Sequence, residues 1–130
     1  MMEMLVLAAQ LAGASPLPMP PQDWSALRPL PLTREVDEST NLSSFVRAEV
    51  KAGRCAAATA VTQGWVLKID LAVLVGPGAR PRRVVPRAIA CPSVEQYAAG
   101  LVSSMARGNL SPAIDIDTWY RTSLTFSWPT

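Results

Sequence analysis

The sequence predicts a small α+β domain, with a three-stranded antiparallel sheet in the order 2-1-3 and two helices on one face. Three observations lead to this fold class: apolar residues alternate over 65–75 and again over 119–128, and they recur at helical spacing over 94–107. The chain has 130 residues, of which 49% are hydrophobic and 17% charged. This composition suits one globular domain with its own core and differs from that of disordered chains.

The first predicted helix covers residues 42–52, with Asn41 as the N-cap and Gly53 as the stop. Its apolar residues fall on one face, as expected of a helix that packs on a sheet. The alanine-rich piece from Cys55 to Val61 fits either an extension of this helix or a short strand, and propensity does not choose between them.

The strongest predicted strand is Trp65–Val75, whose apolar side chains alternate with Lys68 and Asp70 on the other face. A turn rich in Gly and Pro then leads into a return strand over residues 82–89. Pro86 has no N–H to donate, so this second strand is expected at an edge of the sheet.

The second helix is predicted over residues 94–107, with Ser93 and Gln96 as a capping box. The last strand follows at Trp119–Trp128. Because the helix reverses the chain direction, an antiparallel sheet requires this strand to lie beside the first one. The order 2-1-3 therefore leaves the last strand with one unpaired edge.

The chain begins with an apolar stretch that ends in Ala12-Gly13-Ala14, which is typical of a signal peptide over residues 1–14. A core helix is the alternative, since no Lys or Arg precedes the stretch, and the stretch is too short to span a membrane. Residues 15–35 are rich in proline and predict an extended linker. The folded domain is expected over residues 36–130.

The predicted order of helix, Gly-containing hairpin, helix and aromatic-rich last strand resembles the C-terminal domain of the TonB energy-transducer family. The likeness is carried by residues 71–80, 94–99 and 119–128, and it covers about residues 42–128. In that family the domain lies in the periplasm and pairs through its last strand with an extended segment of an outer-membrane receptor. The resemblance implies a periplasmic or secreted domain that binds such a receptor or another envelope protein. Energy transducers of the family have a membrane anchor, whereas the predicted cleavable signal leaves this chain without one, so we expect a TonB-like domain that does not transmit force.

Composition excludes several functional classes. The chain has no His and only 2 Cys, so it has neither an imidazole base nor a closed structural zinc site. The net charge of +2 is too small to predict nucleic-acid binding. Gly76-Pro77-Gly78 lacks the Lys of a phosphate-binding loop, and Asp115 with Asp117 makes at most a weak cation site. We expect no enzymatic activity, no cofactor and no metal.

Cys55 and Cys91 flank the predicted hairpin, and they would form a disulfide in an oxidising compartment. Two reduced, buried thiols in a cytosolic protein are the alternative. The predicted signal peptide and the presence of two cysteines both favour an exported, oxidised protein, so the disulfide is the favoured interpretation.

Four of the 12 basic residues lie close together at Arg80, Arg82, Arg83 and Arg87. They could capture an anion such as a phosphate. A charged edge strand that resists aggregation is the favoured alternative.

The partner-binding surface is predicted on the outward-facing side chains of the last strand: Trp119, Arg121, Ser123, Thr125 and Ser127. Trp119 could instead pack against the proline-rich segment near Trp24. The leading hypothesis is strand addition, in which an extended peptide pairs with the last strand. The alternative is a self-associating module in which the same edge pairs with a second copy.

Overall fold

A computed structural model describes residues 18–34, 40–111 and 116–130. The predicted signal peptide, Asp115, both ends of the predicted linker and the predicted start of the domain at residues 36–39 lie outside these residues.

Five strands form one mixed sheet around a long central strand, β3 (Gly64–Gly76). One edge of β3 pairs antiparallel with β5 (Thr118–Pro129) over its whole length. The other edge pairs antiparallel with β2 (Thr59–Val61) near the start of β3 and with β4 (Arg80–Pro86) near its end. The short β1 (Arg28–Pro29) pairs in parallel with the outer edge of β5.

The predicted three-stranded antiparallel sheet in the order 2-1-3 is therefore wrong, because two further strands join the sheet and one of them is parallel. β2 comes from the alanine-rich piece whose conformation the sequence left open. β1 comes from the proline-rich segment, where Pro29 supplies no N–H. Only the broader α+β class agrees with the structure.

The two α-helices are α1 (Ser44–Lys51) and α2 (Pro92–Ala106). A 3₁₀ turn over Thr40–Ser43 precedes α1, so the helix begins later than predicted and Asn41 is not its N-cap. The helices and the inward residues of the sheet share one hydrophobic core, and its largest fully buried side chains are Leu67, Ile69, Leu71, Val46, Val73, Val75, Val94 and Val102.

The predicted capping box at the start of α2 is also wrong. The helix begins at Pro92, with Cys91 in the cap position and no side-chain cap from it. Glu95 takes over this role, since its carboxylate accepts hydrogen bonds from the backbone N–H groups of Ile89 and Cys91 at 3.1 and 2.9 Å. The bond from Cys91 satisfies a donor that the helix itself leaves unpaired, and the bond from Ile89 fixes the chain that enters the helix.

The predicted disulfide between Cys55 and Cys91 is confirmed, with the two Cα atoms 5.0 Å apart. It ties the end of α1 to the start of α2. Beside it, Glu49 is buried at 6% exposure and pairs with Arg54. A hydrogen bond from Ser93, and to a smaller extent one from Arg54, holds the pKa of the Glu49 carboxyl below its usual value, because both stabilise the charged form.

Candidate binding site at the outer edge of β5

Residues 21–32, which we call the strap, begin on the face of the sheet opposite the helices and end in the core on the helix side. Its 3₁₀ turn at Trp24–Ala26 is capped by Asp23, whose carboxylate accepts from the backbone N–H and the hydroxyl of Ser25 at 3.0 and 2.6 Å. Trp24 is 8% exposed, and the guanidinium of Arg87 lies 3.7 Å from the centre of its ring. This cation–π contact fixes one end of the strap to the residue that follows β4.

The strap then turns around the outer edge of β5. The Arg121 Nε donates to the carbonyl of Leu27 at 2.8 Å, and the backbone N–H of Leu30 donates to the carbonyl of Arg121 at 2.8 Å. Leu30 is buried in the core on the helix side of the sheet. The strap therefore passes from one face of the sheet to the other at Arg121.

Beyond the strap, the chain is held by Asn109, a buried residue just after α2. The Asn109 side-chain oxygen accepts from the Thr33 hydroxyl at 2.7 Å and from the Arg34 N–H at 2.9 Å. Its amide nitrogen donates to the carbonyls of Arg34 and Met105. The strap is thus held through Trp24 and Arg121, and Asn109 holds the residues that follow it, so this segment belongs to the folded unit.

A cleft of about 780 Å³ lies between the strap and the sheet. Its volume falls within the range of small-ligand sites, but its walls are polar and charged. The cationic side chains on the walls are Lys68, Arg87 and Arg121, and the carboxylates are Asp23 and Asp70. The cleft also reaches Pro29, Leu30, Thr122 and Ser123, so it opens at the outer edge of β5.

Three of these charged groups already make contacts, and one of them is Arg121, whose Nε donates to the carbonyl of Leu27. Arg87 stacks on Trp24. Hydrogen bonds from Ser25 lower the pKa of the Asp23 carboxyl, and the nearby Arg87 acts in the same direction. Lys68 and Asp70 have no ion pair within the described residues, and both are exposed. Arg121 keeps its charge, because the Leu27 carbonyl is neutral, so the part of the cleft nearest the edge carries the cations Lys68 and Arg121 and the carboxylate of Asp70.

Within the part of the chain that the structure describes, the outer edge of β5 is occupied at its two ends. Arg121 uses its carbonyl to bond Leu30, and Ser127 uses its N–H to bond the hydroxyl of Ser43 at 3.1 Å. Alternate residues of a strand direct their backbone groups to the same side, so the N–H and C=O of Ser123 and Thr125 also face outward. Among the described residues, none bonds to these four groups.

The five predicted partner-binding residues all lie on β5, on the face that the strap crosses. Arg121, Ser123, Thr125 and Ser127 are exposed, whereas Trp119 is only partly exposed and lies opposite the buried Leu74 of β3. The strap and Ser43 thus occupy backbone groups of Arg121 and Ser127, whereas no residue of 18–34, 40–111 or 116–130 bonds the outward groups of Ser123 and Thr125.

The four predicted anion-binding arginines have separate surroundings. Arg82 pairs with Asp117. Arg80 lines a second cleft of about 550 Å³ together with Arg107, next to the turn between β3 and β4. Arg83 lies opposite Leu74 of β3, and Arg87 stacks on Trp24. Only Arg87 contributes to the cleft beside β5.

The sequence analysis raised packing of the proline-rich segment near Trp24, but it predicted neither the pairing of this segment with β5 nor the place of Lys68 and Asp70 in the cleft. A tryptophan in a proline-rich segment was the available signal for the strap, since an isolated linker gives a large aromatic ring nothing to pack on. For Lys68 and Asp70, the signal was their position on the polar face of the central strand, directly opposite Thr125 and Ser123.

Within residues 18–34, 40–111 and 116–130, no group of three or more Cys, Asp or Glu side chains could hold a metal ion. No helix in the same part of the chain has the length and hydrophobicity needed to span a membrane. Comparison with known proteins finds no matching family model, no matching curated protein and no matching solved structure.

Proposed function

We propose that this protein is a binding module without catalytic activity, which accepts an extended peptide on the open part of the β5 edge. The observation that carries the proposal is the pair of outward residues, Ser123 and Thr125, whose four backbone groups have no partner among the described residues. Unpaired strand edges are the usual acceptors of an added strand. The proposal does not rest on the likeness to the TonB family, which no comparison supports.

The expected affinity follows from the short length of the open edge. Four backbone hydrogen bonds at about 1 kcal/mol each contribute about 4 kcal/mol. That free energy corresponds to a dissociation constant of about 1 mM, before the loss of translational and rotational freedom on binding is subtracted. Side-chain contacts in the adjoining cleft must therefore supply any tighter and more selective binding.

The proposal also places the protein in the periplasm or outside the cell. The disulfide between Cys55 and Cys91 supports this, because such bonds persist mainly in oxidising compartments. An intact-mass measurement on protein from fractionated cells, made without reductant, tests it. Loss of residues 1–14 together with two hydrogens is the expected result, and a full-length protein with free thiols would contradict export.

Binding at the edge is tested with Thr125→Pro and its control, Thr125→Val. Proline removes the outward N–H and leaves the hydrogen bonds to β3 in place, whereas valine keeps the N–H at similar size. A displayed library of random ten-residue peptides is selected on each protein. We expect enrichment on the wild type and on Thr125→Val, and none on Thr125→Pro.

Equal enrichment on all three proteins would contradict the proposal. Circular dichroism shows whether Thr125→Pro is folded, and Ser123→Pro replaces it if it is not. In addition, peptide titration of the wild type should shift the backbone amide signals of residues 122–127. Shifts confined to residues 80–87 would place the binding surface on β4 instead.

A second copy of the chain is the alternative occupant of the same edge. Sedimentation at several concentrations distinguishes the two cases. A monomer over the whole range leaves the edge available to a peptide. A dimer that dissociates in Thr125→Pro would show that the edge serves self-association.

A further inference from the structure

We propose that the peptide accepted on the β5 edge is the carboxy-terminal end of a chain, running antiparallel to β5 with its terminal carboxylate in the cleft beside Lys68 and Arg121. This inference rests on the proposed function and specifies the partner. It follows from where the open edge stops and from the charges at that point.

The open edge is closed at both ends by the protein itself. At one end Leu30 bonds the carbonyl of Arg121, and at the other the Ser43 hydroxyl accepts from Ser127. An added strand that reaches Ser123 therefore meets Pro29 and Leu30 and cannot continue along β5. A chain that ends there needs no further space, whereas a continuing chain must turn away from the sheet.

The cleft lies at this same end of the open edge, where it contacts Thr122 and Ser123. An antiparallel strand brings its carboxyl end to the cleft, and a parallel strand brings its amino end. The two orientations therefore place opposite terminal charges beside the same side chains.

The charges in the cleft favour the carboxylate. The cleft has three cations, Lys68, Arg87 and Arg121, against the two carboxylates of Asp23 and Asp70. The Arg87–Trp24 stack and the Ser25–Asp23 hydrogen bonds hold one group of each sign, and the Nε of Arg121 donates to the carbonyl of Leu27, which is neutral and leaves the guanidinium charge uncompensated. A carboxylate would meet Lys68 and Arg121, opposed by Asp70, which lies opposite Ser123. A terminal ammonium would be repelled by the same two cations.

The experiment compares two libraries of random ten-residue peptides on the full-length protein. In the first, the random segment ends in a free carboxylate, and in the second the same segment is followed by a fixed Gly-Ser tail. We expect enrichment only from the first library. Peptides recovered from it should bind at least about tenfold more weakly after amidation of the carboxyl end, because a charge-assisted contact is lost.

Lys68→Gln and Lys51→Gln provide a matched pair, since both lysines are exposed and only Lys68 lines the cleft. The recovered free-carboxylate peptides should bind Lys68→Gln several-fold more weakly and Lys51→Gln with unchanged affinity. Unchanged affinity for both variants, or equal enrichment from the two libraries, would overturn the carboxylate assignment and leave edge binding intact. If neither library is enriched more on the wild type than on Thr125→Pro, edge binding itself is overturned.

Discussion

Removing the disulfide between Cys55 and Cys91 should lower the free energy of unfolding by about 4 kcal/mol. The bond joins residues 36 positions apart and closes a loop that contains β2, β3 and β4. In the chain-entropy relation, a loop of this length corresponds to about 13 cal/mol/K, or about 3.8 kcal/mol at 25 °C. For a domain of this size the melting temperature should fall by about 15 °C.

The assay is urea unfolding of the oxidised protein, the protein reduced with dithiothreitol, and the Cys55→Ala/Cys91→Ala double variant. Reduction keeps both sulfur atoms in the core, so it isolates the effect of the cross-link. The double variant also removes two side chains that are 3% and 0% exposed, so its loss should equal or exceed that of reduction. Each single variant should already lose the whole cross-link contribution.

Intact mass is the control, because the oxidised protein must be two hydrogens lighter than the reduced one. A loss below about 1 kcal/mol on reduction would refute the reasoning. It would mean that the unfolded chain is little constrained by the bond, or that residues 55–91 already hold together without it.

Three further predictions concern the fold. Gly64→Ala should lower the free energy of unfolding, because an added Cβ would lie 2.1 Å from the Trp128 carbonyl oxygen. Gly100→Ala should raise it by about 0.5–1 kcal/mol, because this helical glycine has open space at the Cβ position. In urea unfolding, the loss at Gly64 should be several-fold larger than the gain at Gly100. Glu49→Gln should lower the free energy of unfolding more at pH 7 than at pH 3. The folded pKa of Glu49 is lowered by Ser93, so its contribution is complete above the unfolded pKa and disappears as the pH falls through the folded value. Trp24→Ala should lower the free energy of unfolding by about 3 kcal/mol in the same assay, since it removes the buried ring of the strap.

The elements with strong periodicity were predictable from the sequence. Strand 65–75 is observed as Gly64–Gly76, helix 94–107 as Pro92–Ala106, and strand 119–128 as Thr118–Pro129. Each has a hydrophobic pattern that only one regular structure can bury on a single face. The disulfide was predictable as well, because its two cysteines flank the hairpin.

The two short strands were not predictable in the same way. β1 has two residues, one of them a proline, and it is held to β5 by hydrogen bonds that join Arg121 to Leu27 and Leu30. Such tertiary contacts leave no periodic trace in the sequence. β2 is three exposed residues whose pairing depends on a turn into β3.

The candidate site was predictable in part. Alternation along the last strand places Arg121, Ser123, Thr125 and Ser127 on one face, and the structure agrees. Which of them keep open backbone groups could not be predicted, because the strap and Ser43 approach from distant parts of the chain.

The most direct test of edge binding is hydrogen exchange at the outward amides of β5. Exchange is measured for each residue in the free protein and again with a selected peptide bound. The amides of Ser123 and Thr125 should exchange rapidly in the free monomer and become protected in the complex, while those of Leu124 and Phe126 stay protected throughout. Protection of Ser123 and Thr125 in the free monomer, or no gain of protection with peptide, would contradict the account.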